Sequence, residues 1–151
     1  MRRKNKGFSL IELMIVVAII AILAMIMTPN LLTAIQKAKM KATMEDMRNI
    51  GMSVDNYMSD WGIAVQGTTI AAIKPFIFPF YTKKFADNDQ WSHAYQYTAT
   101  NDDYSVGSAG KNAAFAWPGS STIYDPPTKI ADFERDMVYS NGAFTYGPRQ
   151  N

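Results

Sequence analysis

The chain opens on an almost unbroken apolar run. From Phe8 to Met27 only Ser9 and Glu12 are polar, and a helix of about 20 residues spans a hydrocarbon core of roughly 30 Å. The pattern then changes. Met40, Met44, Met47, Gly51, Val54, Met58 and Trp61 recur at alternating steps of four and three, the spacing of one buried helix face. Lys37, Lys39, Lys41, Glu45, Asp46, Arg48 and Asp55 fall largely off that seam and are expected on the solvated side, where the lysines can also meet lipid headgroups or acidic patches on a neighbouring subunit. Pro29 lacks an N–H and predicts a kink or a loosened turn, and Gly62 predicts the stop. Phe8 to about Trp61 therefore reads as one helix, on the order of 80 Å long at 1.5 Å per residue. A small domain cannot wrap that length, so about half of it must be covered by lipid or by other copies of the chain.

After Gly62 the periodicity shortens. "GIAVQGTTIAAIKPFIFPFYTKKFADND" is cut by Gly67, Pro75 and Pro79. It predicts a linker lying over the helix, with one or two helical turns from Thr69 to Lys74, and with Phe76, Phe78, Phe80 and Tyr81 offered for packing. "HAYQYTAT" at 93–100, "DYSVGSAG" at 103–110 and "DMVYSNGAFTYG" at 136–147 alternate as strands do. Asn141-Gly142 in the last of these is a strong hairpin signal. "WPGSSTIYDPPTK" reads as a turn-rich loop. The expected fold class is α+β: a long N-terminal helix, transmembrane in its first half and amphipathic in its second, packed against a small C-terminal antiparallel sheet.

Composition narrows the function classes. The 151 residues suit one domain. A hydrophobic share of 48% against 19% charged residues is not that of a disordered chain. The formal charge of +2 is misleading, because Arg2, Arg3, Lys4 and Lys6 carry the excess and the remainder is net acidic. No nucleic-acid binding is inferred from it. With no cysteine and one histidine, His93, the usual catalytic triads and transition-metal sites lack parts. "VGSAGKN" does not match the phosphate-loop spacing. No enzyme is expected and no catalytic residue is assigned.

Glu12 is the residue that needs a reason, since a lone carboxylate in a membrane span costs roughly 2.5–3.5 kcal/mol on insertion scales. The basic stretch "MRRKNK" before the run sets its N-terminal end in the cytoplasm. A secretory signal peptide would have a shorter apolar run and a small-residue cleavage site, and a plain anchor leaves Glu12 unexplained. Cleavage after Gly7 would explain more. Phe8 would then carry a new α-amino group one helical turn from Glu12, or within reach of the Glu12 of a neighbouring copy. Either pairing neutralises a costly charge; only the second sets register between subunits.

"KGFSLIEL" followed by "MIVVAIIAILAMIMTP" resembles the leader and helix of type IV prepilins and pseudopilins. The resemblance implies that a prepilin peptidase cuts after Gly7 and that Phe8 becomes an N-methylated N-terminus. It implies that Glu12 pairs with a neighbour's N-terminus during assembly, and it matches Pro29 to a proline common in the family. It divides the chain into a leader at 1–7, a transmembrane and assembly helix at 8–29 and an exported pilin-like domain at 30–151.

"DQWSHAYQY" and "DYSVGSAGKN" further resemble the major pseudopilin of type II secretion systems, with Gln90 and Ser92 standing where that pattern has proline and glycine. Type IVa pilins close a C-terminal loop with a disulfide, and this chain cannot. Such pseudopilins often bind calcium; Ala109 stands where an acid is expected. "DPPTKIADFERD" offers Asp125, Asp132, Glu134 and Asp136, of which Asp132 and Asp136 are the weak calcium candidates.

The favoured function is that of a major pseudopilin in a type II secretion pseudopilus driving exoprotein export. The alternative is a type IV pilin for adhesion, twitching motility or DNA uptake. A membrane-anchored binding module that does not polymerise is the alternative from another class. The resemblance implies a homo-oligomeric helical filament, minor pilins or pseudopilins, a prepilin peptidase, and a platform protein with an assembly ATPase as partners. It implies the bacterial inner membrane before assembly, then a periplasmic pseudopilus or a surface pilus.

Overall fold

The computed structural model describes residues 7–115, 123–124 and 133–148. The chain divides into two units, Met1–Ile35 and Gln36–Asn151. The fold is α+β. Helix α1 runs Leu10–Trp61 and ends as its pattern predicts: Gly62 takes φ +74° and its N–H reaches the Met58 carbonyl at 2.8 Å. A left-handed residue closing a helix is a normal role for glycine.

In the first unit every described residue from Gly7 to Leu32 is exposed. Pro29 lies inside α1, where it cannot donate to the carbonyl one turn back. The adjacent turns carry hydroxyl bonds instead: Thr28 Oγ1 donates to the Ala24 carbonyl at 2.7 Å, and Thr33 Oγ1 to that of Pro29 at 3.1 Å.

In the second unit the α1 seam is core. Met40, Met44, Met47, Gly51 and Val54 are buried and Met58 packs against them. The buried stripe is wider than the predicted one: Thr43, Asp46, Ile50 and Ser53 are also covered. Trp61, expected on the seam, is 67% exposed, because it lies at the last helical position. Its ring stacks on Tyr57 and its Nε1 donates to the Tyr81 hydroxyl at 3.2 Å. Gly51 is needed for contact rather than for backbone freedom. A Cβ there would overlap the Tyr139 ring and lie 3.0 Å from the Tyr104 hydroxyl.

Helix α2, Ile70–Ile77, is capped by Thr69, whose hydroxyl accepts the Ala72 N–H at 3.2 Å. It runs past the expected end at Lys74 and through Pro75. It packs by Ile70, Ile73 and Ile77, while Phe76, Phe78 and Phe80, expected to pack, are exposed. Their spacing of two is no helical stripe, and the isoleucines hold the inward face.

Strands β1 (Gln96–Ala99), β2 (Tyr104–Ser108), β3 (Ile123–Tyr124), β4 (Met137–Ser140) and β5 (Ala143–Pro148) form one sheet in the order β1-β2-β4-β5-β3. The first, second, fourth and fifth pair antiparallel, with Tyr97 opposite Val106 and Val106 opposite Tyr139. The β4–β5 turn has φ +46° at Asn141 and +84° at Gly142, as a two-residue primed turn requires. Strand β3 is an addition. It lies in the stretch read as loop and pairs parallel to β5, and two residues are too few for alternation to show.

Candidate assembly site

The predicted processing and assembly residues fall in the first unit. An added Cβ at Gly7 would meet nothing within 4 Å, so the fold itself makes no demand for glycine there. Phe8 is 83% exposed, and the apolar side chains from Leu10 to Leu32 are exposed after it. The most apolar stretch of α1 has a mean hydropathy of 3.0, none of it is buried, and α1 is long and apolar enough to cross a membrane. An exposed surface of this kind is costly in water, and the segment fits a membrane anchor.

Glu12 stands in the first turn of α1. Its Oε2 accepts the Ser9 backbone N–H at 2.8 Å, one of the donors that a helix start leaves without an intrahelical partner. The Ser9 carbonyl accepts from Glu12 and Leu13 at 3.1 and 3.3 Å. Ser9 thus belongs to the site and was missed in the sequence. Its signal was there: Ser-x-x-Glu before an apolar run is the capping-box spacing. A carboxylate near a helix N-terminus is also favoured by the helix dipole. Phe8 in the uncut chain has an amide, so pairing of Glu12 with an amine requires cleavage first.

The second unit holds a buried polar network around Asp89 and His93. The Asp89 side chain is almost fully buried. Its Oδ1 accepts the N–H groups of Trp91 and His93, both at 2.9 Å, and its Oδ2 accepts the Ser108 hydroxyl at 2.8 Å. The Ser108 oxygen accepts the Gly110 N–H at 3.2 Å, and His93 Nδ1 lies 2.8 Å from the Gly110 carbonyl. Gly110, at φ +62°, sits against the Phe133 and Arg135 carbonyls, which leave no room for a Cβ. Ser92 occupies φ +70°, a left-handed conformation that suits the glycine of the resembled pattern better than serine. Gln90, in place of proline, supplies a backbone N–H to Thr43 Oγ1 and a side-chain N–H to Asp46 Oδ2, at 3.2 and 3.1 Å. Trp91 Nε1 donates to Gln36 Oε1 at 2.8 Å. The loop is therefore latched to α1 at three points.

Asp46, expected on the solvated face, is buried and paired with Lys84 at 3.1 Å. Its carboxylate accepts from Lys84 and holds that ammonium's pKa above the usual lysine value. Buried tyrosine hydroxyls bond to distant backbone carbonyls: Tyr95, just before β1, to that of Thr43 in α1, Tyr97 of β1 to that of Val65 beyond α1, and Tyr104 of β2 to that of Gly51 in α1, at 3.4, 2.8 and 3.0 Å. Burial pushes all three pKa values up. Of the calcium candidates, Asp136 is buried, while Asp132 lies outside the described residues, as does Asp125. Among the described residues no three His, Asp or Glu side chains gather as a metal cluster.

Comparison with known proteins agrees with this geometry. Residues 2–28 match the prokaryotic N-terminal methylation motif. The chain is 33% identical over 126 residues to the type II secretion system core protein G of Pseudomonas aeruginosa, covering 73% of this chain and 88% of that protein. It is 32% identical over 110 residues to the core protein G of Vibrio cholerae, covering 66% and 75%. It is 64% identical over 36 residues to the type IV wide pilus major component of Thermus thermophilus, covering 24% and 28%. No solved structure matches the chain. A methylation-type N-terminus, a helix long and apolar enough to cross a membrane and this coverage of the relatives' length lead to one conclusion: the chain belongs to the type II secretion core protein G family of type IV pilin-like proteins.

Proposed function

We propose that the chain is a structural subunit of a secretion pseudopilus, polymerised through its N-terminal helix and acting in exoprotein export rather than as an enzyme. The likeness to core protein G over 88% of the Pseudomonas protein carries this reading. A prepilin peptidase cuts after Gly7 and Phe8 becomes the methylated N-terminus. Residues 8–29 hold the precursor in the inner membrane and residues 30–151 form the exported domain. On extraction by a platform protein and its ATPase, helix faces of other copies replace lipid around the apolar side chains. Glu12 then exchanges its bond to the Ser9 N–H for the Phe8 amine of a neighbour, which places each incoming subunit. Minor pseudopilins belong to the same assembly. Asp136, with Asp132, is the place to look for a calcium ion, by calcium titration of the processed chain.

The match to a wide-pilus component favours a second reading, a surface pilus for adhesion, twitching or DNA uptake, though it spans only 24% of the chain. The test is a strain lacking this protein. Lost exoprotein release with intact twitching is expected; the reverse pattern establishes the pilus reading. Undisturbed release and twitching, with no filaments on overexpression, would leave only a non-polymerising anchored module.

A further inference from the structure

The second unit carries a basic cluster at its N-terminal end and an acidic one beside the C-terminal end of α1. At its N-terminal end Lys37, Lys39 and Lys41 follow one another on α1, with no acid anywhere between Glu12 and Glu45. Lys37 and Lys41 share a helix face and Lys39 lies on the other side, so the lysines encircle the helix. Among the described residues none of the three has an ion-pair partner. Lys37 and Lys41, like charges four apart on a helix, repel, and Glu45, one turn beyond Lys41, is the nearest acid on α1.

At the other end stand Asp55, Asp60, Asp102 and Asp103. The β1–β2 turn that holds the last two is tied to the segment just past α1 by the Ala64 N–H to the Asn101 carbonyl, at 2.9 Å. Asp60 and Asp102 are exposed. Among the described residues Asp60 accepts only the Tyr81 hydroxyl, at 2.8 Å, and Asp103 is held by the Asn141 amide. No lysine or arginine occurs from 49 to 73 or from 85 to 110. The basic and acidic ends lie about 30 Å apart along α1 at 1.5 Å per residue.

We propose that these ends meet between copies, the aspartates around Asp60 of one subunit seating against the Lys37–Lys41 collar of the next. This rests on the filament reading above and adds the contact that orders its exported units. A lipid surface would use the lysines but give the aspartates no counterpart, whereas a second copy answers both. A contact between unlike ends does not close on itself and propagates as a filament. Complementary charge of this kind sets register and suppresses the inverted arrangement.

The absence of cysteine allows a clean test. Full-length chains carrying K39C, D60C or both would be expressed with their processing and assembly machinery and treated with a short bismaleimide. The double variant should give a ladder of linked multimers, the single variants monomers, and co-expressed single variants dimers. Normal polymer without the ladder, or dimers from one single variant alone, would overturn the contact. Charge reversal gives a second readout. K37E/K39E/K41E or D60K/D102K should each lower the polymerised fraction at least about tenfold, and the combined set should recover it. Failure to recover overturns the proposal. So does weaker binding of the lysine variant to phosphatidylglycerol vesicles with the aspartate variant assembling normally, which would assign the collar to lipid. If the unsubstituted chain does not polymerise, the filament reading itself fails; if it polymerises and the charge variants are silent, only this contact fails.

Discussion

The backbone N–H of Ser9 donates to Glu12 Oε2 at 2.8 Å, so the one acid of the apolar run already has a partner in its own helix. Two roles for Glu12, cap and intersubunit anchor, follow from one carboxylate, and two substitutions separate them. Glu12→Gln keeps an acceptor for Ser9 and removes the charge. Glu12→Val removes both, at a cost to the helix start of about 1 kcal/mol. Both variants should be processed and retained in the membrane, and both should enter filaments poorly. Normal assembly of the Gln variant would reduce Glu12 to a cap.

Asp89 organises the loop before β1, and its removal should be among the most destabilising changes in the second unit. Asp89→Ala strands two backbone N–H groups and the Ser108 hydroxyl, each worth about 1–3 kcal/mol when left buried without a partner. A loss of about 4 kcal/mol is expected, read as a lower thermal midpoint of the full chain in detergent. A change under about 0.5 kcal/mol, the usual range of surface substitutions, would mean that the network is loosely held.

Gly51 should resist replacement by a better helix former. Alanine gains about 1 kcal/mol of helix propensity, but its methyl would overlap the Tyr139 ring, and overpacking costs about 1–3 kcal/mol. The expected outcome for Gly51→Ala is net destabilisation by chemical denaturation. Gly51→Ala with Tyr139→Leu should recover part of it, which checks that the ring is the cause.

Ser92 offers the opposite case. Its φ of +70° costs a residue with a Cβ about 1 kcal/mol, and its side chain is exposed. Ser92→Gly should stabilise the chain by about that amount, measured as a higher denaturation midpoint. Lower stability would show that the hydroxyl holds the turn.

Alkaline pH should unfold the second unit in a defined window. Tyr95, Tyr97 and Tyr104 are raised above the ordinary 10.0 by burial, so near pH 10 they ionise in the unfolded chain but not in the native one. Their contribution is complete below pH 10 and declines above it, by about 1.4 kcal/mol per pH unit for each withheld proton. Lys84, also raised, acts in the same direction: its pairing with Asp46 is present below its unfolded pKa and lost as pH rises through the folded one. Denaturation midpoints from pH 8 to 11 would show the fall, and Tyr104→Phe should make it shallower.

Local pattern was enough for the helix and its end, the hairpin at Asn141-Gly142 and the apolar segment with its single acid. These features depend on spacing along the chain, and the Ser9–Glu12 cap is of the same kind although it was overlooked. Trp61 on the seam, the phenylalanines after Pro75 and Asp46 on the wet face were misplaced, because those positions depend on what lies opposite. A position on a helix is buried or exposed according to the element laid over it. The loop carrying Lys84 and Gln90 covers Asp46, whereas Trp61 at the end of α1 stays largely exposed.

By itself the sequence determined which stretch must leave water, where cleavage would create an amine and how far along a carboxylate awaits it. The first and last follow from hydropathy and the fixed rise of a helix; the cleavage point is what the resemblance to prepilins implies. Only the tertiary structure decided that Asp89 is a buried hub, that Gly51 is a contact for an aromatic ring and that the turn carrying Asp102 is tied to the segment just past α1. Those depend on residues tens of positions apart being brought within hydrogen-bonding distance, and the spacing along a chain does not record that.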